Sequence, residues 1–79
     1  MARQPFSPRD FGIDMEKENL VDTLVKDFTE MYEGLSIDEL LLHPREAIHF
    51  CDLVRRRHFW YDLPDDIILR SVLTRRKNP

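Results

Sequence analysis

The feature that most constrains the fold is a run of apolar residues at helical spacing between positions 16 and 33. Its members recur at intervals of one, three and four residues: Leu20, Val21, Leu24, Val25, Phe28, Met31 and Tyr32. At about 100° per residue they fill an arc of roughly 140° on one face of a helix. Polar side chains, Asp27 among them, take the other face, and Gly34 suits a helix end. The pattern predicts an amphipathic helix over 16–33.

Three further helices are predicted from their start signals. Ser36 followed by Glu39 fits a capping box, in which the hydroxyl and the carboxylate each satisfy a free backbone amide. Pro44 and Pro64 suit first helical turns, because the N–H that proline lacks would have no partner there. The predicted helices are 37–42, 44–59 and 64–76.

We therefore expect an all-α fold, a small bundle of three main helices and one short helix, with residues 16–79 forming a single domain. Residues 1–15 contain prolines and a glycine and lack a helical period, so we predict an extended N-terminal arm. Phe6, Phe11 and Ile13 would tether this arm either to the core or to a partner.

Composition bounds the class of protein. The chain has 79 residues, of which 42% are apolar and 34% charged, enough for one small core and too apolar for a disordered segment. No apolar run approaches the ~20 residues of a membrane span. Cys51, the single cysteine, cannot form an internal disulfide. We expect a soluble cytoplasmic protein that has no membrane partner.

Charge is distributed unevenly along the chain. Residues 1–42 carry a net charge of −6 and residues 43–79 a net charge of +3. Such a division can mark a basic surface for an anionic partner. Alternatively, the two halves fold against each other and their charges partly complement. The sequence favours the second explanation.

Three consecutive arginines, Arg55 to Arg57, end the third helix. They span about 200° of its circumference and therefore do not all face one way. Basic side chains stabilise the last turn of a helix by about 0.3–1 kcal/mol each, which explains the run without a ligand. The alternative is a phosphate-binding surface for nucleic acid. Its members would be Arg55, Arg56, Arg70, Arg75, Arg76 and Lys77.

Three consecutive aromatic residues, Phe59, Trp60 and Tyr61, lie at the turn after these arginines. Aromatic side chains at such a turn usually close the end of a small core. The alternative is a hot spot for a protein partner, since Trp, Tyr and Arg dominate such sites. Under that hypothesis the partner-binding residues are Arg56, Trp60 and Tyr61.

Residues that could carry out chemistry are few. Glu46 and His49 have the Glu-x-x-His spacing of carboxylate-bridged metal sites, but the chain has only one copy. Cys51 lies in the apolar stripe of its helix, where burial raises the pKa of a thiol and makes it inert. His58 falls on the core side of the same helix, as a structural histidine would. We predict no catalytic residue, no metal site and no cofactor.

These observations predict a small helical protein–protein interaction module without catalytic activity. Its partner is another protein or a second copy of the chain, because the wide apolar face of the first helix is generous for so short a sequence. The alternative function is a nucleic-acid-binding domain that uses the basic C-terminal half on phosphates. In that case the helices 44–59 and 64–76 would act as a helix-turn-helix.

Overall fold

The computed structural model describes residues 6–77, although the side chain of Lys77 lies outside the described part. Within this range the protein is a small all-α bundle, so the predicted fold class is confirmed. Its elements are a 3-10 helix Pro8–Phe11, α1 Lys17–Met31, α2 Ile37–Leu41, α3 Pro44–His58 and α4 Asp65–Lys77. Each predicted α-helix is present, with ends within two residues of the predicted ones.

The local start signals act largely as predicted. Ser36 Oγ accepts a hydrogen bond from the Glu39 amide at 3.2 Å, and Pro44 occupies the first turn of α3. Pro64 instead lies just before α4, where its carbonyl accepts from the Ile68 amide at 3.2 Å. Gly34 follows α1 in a turn with φ of 82°, a conformation in which glycine has no steric cost.

The core forms where α1 packs against both α3 and α4, as its wide apolar face predicts. Phe50 of α3 is fully buried and meets the rings of Phe28 and Tyr32 edge to face, at centroid distances of 5.7 and 6.0 Å. Burying one such ring stabilises the fold by about 1.5–3 kcal/mol. None of the described helices has the length and hydropathy that crossing a membrane requires.

The N-terminal segment differs from the extended arm that we predicted. Residues 1–5 lie outside the described part, but Pro8–Phe11 form a 3-10 helix, which the Asp10 carboxylate caps by accepting from the Ser7 amide at 3.1 Å. Ile13 is buried in the core, and Phe6 and Phe11 pack against it. The segment is therefore tethered to the core, the first of the two alternatives for these three side chains.

Candidate partner-binding surface

The end of α3 is closed by a left-handed turn. The amides of Phe59 and Trp60 both donate to the carbonyl of Arg55, which satisfies a free carbonyl of the last helical turn. Phe59 has a φ of 60°, a conformation that glycine normally occupies at this position. The turn then brings Leu63 into the core, where it is buried, before α4 begins.

The three aromatic side chains of this turn occupy different environments. Trp60 is half-buried against the core and stacks on His58, with ring centroids 4.2 Å apart and planes inclined by 19°. Phe59 and Tyr61 are 76% and 62% exposed and contact each other edge to face at 6.2 Å. Only Trp60 therefore closes the end of the core, and the other two rings face solvent.

We call Arg56, Phe59, Trp60 and Tyr61 the α3 corner. It contains the three residues that the hot-spot hypothesis selected and adds Phe59, which that hypothesis omitted. Arg56 is exposed and precedes Phe59 by one helical turn. Nothing in a run of three aromatic residues indicates which ring will face solvent, because the left-handed turn at Phe59 decides it.

A buried carboxylate on α1 binds the last turn of α3, next to the α3 corner. Asp27 is only 4% exposed. Arg57 Nη1 donates to its Oδ1 at 3.1 Å, and His58 Nε2 donates to its Oδ2 at 2.6 Å. Glu30 also pairs with Arg57, at 3.1 Å. The structural role predicted for His58 is confirmed, because its ring joins a buried carboxylate to the stacked Trp60.

The placement of Asp27 on the solvent-facing side of α1 was wrong. In helical projection it lies about 20° beyond Leu20, at the border of the apolar arc. The seven-residue interval between the two positions could have indicated burial. A buried charge is stable only when paired, and its partners come from α3, 30 and 31 residues later in the chain.

An open groove of about 420 Å³ lies between α1 and α3, beside the corner. Met31, Leu53 and Val54 form its apolar floor, and Asp27, Arg56 and Arg57 complete its lining. We call this feature the α1–α3 groove. Sequence periodicity could not find it, since it depends on how closely two helices approach.

The arginines proposed for phosphate binding are mostly engaged with carboxylates. Arg55, whose side chain is 17% exposed, pairs with Asp52 at 2.7 Å and with Asp65, and donates to the Leu63 carbonyl. Burial lowers the pKa of Arg55, but the hydrogen bonds that its guanidinium donates to Asp52 and Asp65, together with their charges, outweigh burial and raise the pKa. The other pairs are Arg70–Asp66, Arg75–Asp22 and Arg76–Asp38.

Two members of that set stand apart. Among the described residues, Arg56 has no carboxylate within ion-pair distance. The side chain of Lys77 lies outside the described part. Arg55 adjoins Asp65 at the start of α4, whereas Arg75 is ten residues further along the same helix, roughly 15 Å away. The two basic helix ends are therefore well separated along the axis of α4.

The residues considered as candidates for metal binding or catalysis lie in the following environments. Glu46 and His49 are both exposed, and the Glu46 carboxylate lies 3.5 Å from the Tyr32 hydroxyl. Burial, followed by the charge of Glu46, raises the pKa of Tyr32. Cys51 is fully buried, and burial together with the nearby Asp65 raises its pKa to about 12. Within residues 6–77 no three potential ligands cluster as a metal ion would need.

Comparison with known proteins adds no residue roles. No family model matches the chain, and no curated protein or solved structure is significantly similar to it. The features that bear on function are therefore those of the surface itself: the exposed rings of the α3 corner, the adjoining α1–α3 groove, and Arg56, which pairs with no carboxylate of the described residues.

Proposed function

We propose that this protein is a helical interaction module without catalytic activity, which binds another protein through the α3 corner. The observation that carries the proposal is the solvent-facing ring pair of Phe59 and Tyr61, beside an arginine that has no carboxylate partner in the described structure. Aromatic and arginine side chains supply much of the binding energy at protein interfaces. Rings that served only stability would be expected in the core.

The backbone at Phe59 supports the same proposal. A left-handed φ costs a residue with a β-carbon roughly 1–2 kcal/mol, and an exposed phenyl ring returns little of this through burial. Glycine would form the same turn without that cost. A bulky aromatic residue at this position is therefore better explained by contacts with a partner than by the stability of the isolated fold.

Self-association is included as one form of the proposal. In that form of the proposal, a second copy of the chain binds through the same α3 corner. Sedimentation velocity over a range of concentrations distinguishes monomer from dimer. We place the module in the reducing cytoplasm, because its single cysteine is unpaired and buried.

The experiment is affinity capture with the complete chain and two matched double variants. Phe59→Ser/Tyr61→Ser removes the exposed ring pair. Leu42→Ser/Ile48→Ser removes exposed apolar side chains elsewhere and serves as the control. The proposal expects at least one protein to be captured by the wild type and by the control and lost with the ring-pair variant. A set of captured proteins that is identical for all three chains would refute the α3 corner as the binding surface.

A further inference from the structure

The α1–α3 groove is fixed at both ends before anything binds. At one end the Tyr32 hydroxyl donates to the carbonyl of Glu46 at 3.3 Å. At the other end Asp27 binds His58. These contacts also show that α1 and α3 run antiparallel. A groove held in this way loses little conformational freedom when it is filled, which favours binding.

The floor of the groove is apolar and adaptable. Met31 and Leu53 are half-buried, and Val54 is buried. Methionine has a flexible, polarizable side chain and adjusts to partner side chains of different shapes. The volume of about 420 Å³ is near the lower end of the range of ligand sites. It suits the insertion of a few side chains.

The charges at the rim determine the polarity of the occupant. Arg57 is compensated by Asp27 and Glu30. Arg56 lines the same groove and has no carboxylate partner among residues 6–76. Among the described residues that line the groove, Arg56 therefore carries the single uncompensated charge, and that charge is positive. A polyphosphate ligand would need several such cations, whereas one carboxylate beside an apolar anchor would satisfy this rim.

We infer that the α1–α3 groove binds an acidic amphipathic helix of another protein. Apolar side chains of that helix pack on Met31 and Leu53, and a carboxylate on its flank pairs with Arg56. The groove between two packed helices can bind a third helix, whose apolar side chains at helical spacing insert into it. This inference rests on the proposed interaction function and adds the chemistry of the partner.

The test uses three model peptides of about five helical turns. The first has a leucine face and a glutamate face, the second a leucine face and a lysine face, and the third serine in place of leucine opposite glutamate. Each labelled peptide is titrated with the complete protein and followed by fluorescence anisotropy. We expect the leucine–glutamate peptide to bind at least tenfold more tightly than either of the others.

Variants of the protein assign that binding to the groove. Arg56→Glu should weaken binding of the leucine–glutamate peptide on the order of tenfold or more, and this variant should bind the leucine–lysine peptide more tightly instead. Leu53→Asp should abolish binding of both peptides that have a leucine face. Arg70→Glu and Ile48→Asp change exposed residues elsewhere and should leave binding unchanged. Circular dichroism confirms that each variant is folded, and methyl NMR shifts of Met31 and Leu53 locate the peptide on the wild type without any substitution.

Equal binding of all three peptides, no binding, or NMR shifts confined to α4 would overturn the inference. The proposed function is judged separately by the capture experiment. If a captured protein is lost with Phe59→Ser/Tyr61→Ser but retained by Leu53→Asp, which changes the groove alone, the interaction function stands and the acidic-helix partner is wrong.

Discussion

Replacing Asp27 by alanine should destabilise the protein more than any other removal of a single ion-pairing carboxylate that the structure describes. The side chain is 5% exposed and accepts from two charged or polar donors, Arg57 and His58. Without it, His58 loses its acceptor at the boundary of the core, and Arg57 keeps only Glu30. His58, with its side chain 23% exposed, would be only partly rehydrated.

The expected loss is about 2–4 kcal/mol in the free energy of unfolding. A hydrogen bond to a charged group contributes about 1.5–3 kcal/mol, and Asp27 accepts two. The sum is reduced because the Arg57 side chain is 54% exposed and keeps Glu30 as a partner. A chain of 79 residues has a total stability of roughly 4–12 kcal/mol, so the loss is a large fraction of it.

Urea unfolding followed by circular dichroism measures this loss. Asp22→Ala is the matched control, because it removes another α1 carboxylate, which pairs with Arg75 of α4 and has a side chain that is 57% exposed. Exposed pairs contribute about 0–1 kcal/mol. Asp27→Asn keeps one acceptor oxygen and should lose about 1–2 kcal/mol.

The reasoning is refuted if Asp27→Ala costs under about 1 kcal/mol, or no more than Asp22→Ala, with an unchanged dependence of stability on urea. Either result would mean that the carboxylate gains nothing net from its two partners after desolvation.

Three further predictions concern other parts of the molecule. Phe59→Gly should raise the free energy of unfolding by about 0.5–1 kcal/mol in urea titrations, because relief of a strain of roughly 1–2 kcal/mol outweighs the extra conformational entropy that glycine loses on folding; a lower stability would contradict that strain. The pKa of the Cys51 thiol is raised from 9.0 to about 12, so the native state holds this proton more tightly than the unfolded chain does. The protonated thiol therefore contributes to stability fully below pH 9, and this contribution is lost as the pH rises through about 12. The free energy of unfolding, measured by urea titration at rising alkaline pH, should therefore fall more steeply for the wild type than for Cys51→Ala. A parallel fall in the two proteins would be inconsistent with the raised pKa. Labelled DNA and RNA should give no anisotropy change at about 50 mM salt, whereas binding that falls roughly 10³-fold by 200 mM would restore the phosphate-binding alternative.

The helices were predictable because their signals are local. The period of α1, the Ser36 hydroxyl and Pro44 act within one or two turns of the chain, and the structure bears them out. The 3-10 helix near the N-terminus was missed because it lacks an apolar period, although Ser7, Pro8 and Asp10 form a local start signal like the one that was used for α2.

The candidate surface was only partly predictable. Residue types identified Arg56 and the aromatic cluster, but the exposure of Phe59 follows from a backbone conformation that propensity does not favour. The compensation of Arg75 by Asp22 and of Arg76 by Asp38 depends on contacts between helices distant in sequence. Charge complementarity between the two halves was foreseen in general, but its individual pairs were not.

The most direct test of the central claim is an NMR titration of isotopically labelled protein with a partner obtained by affinity capture. The chain has one tryptophan, so a single indole N–H signal reports on Trp60. The α3 corner predicts that this signal and the amides of residues 53–61 shift together as partner is added. Shifts concentrated around Arg75 and Arg76, with the Trp60 indole signal unchanged, would contradict it.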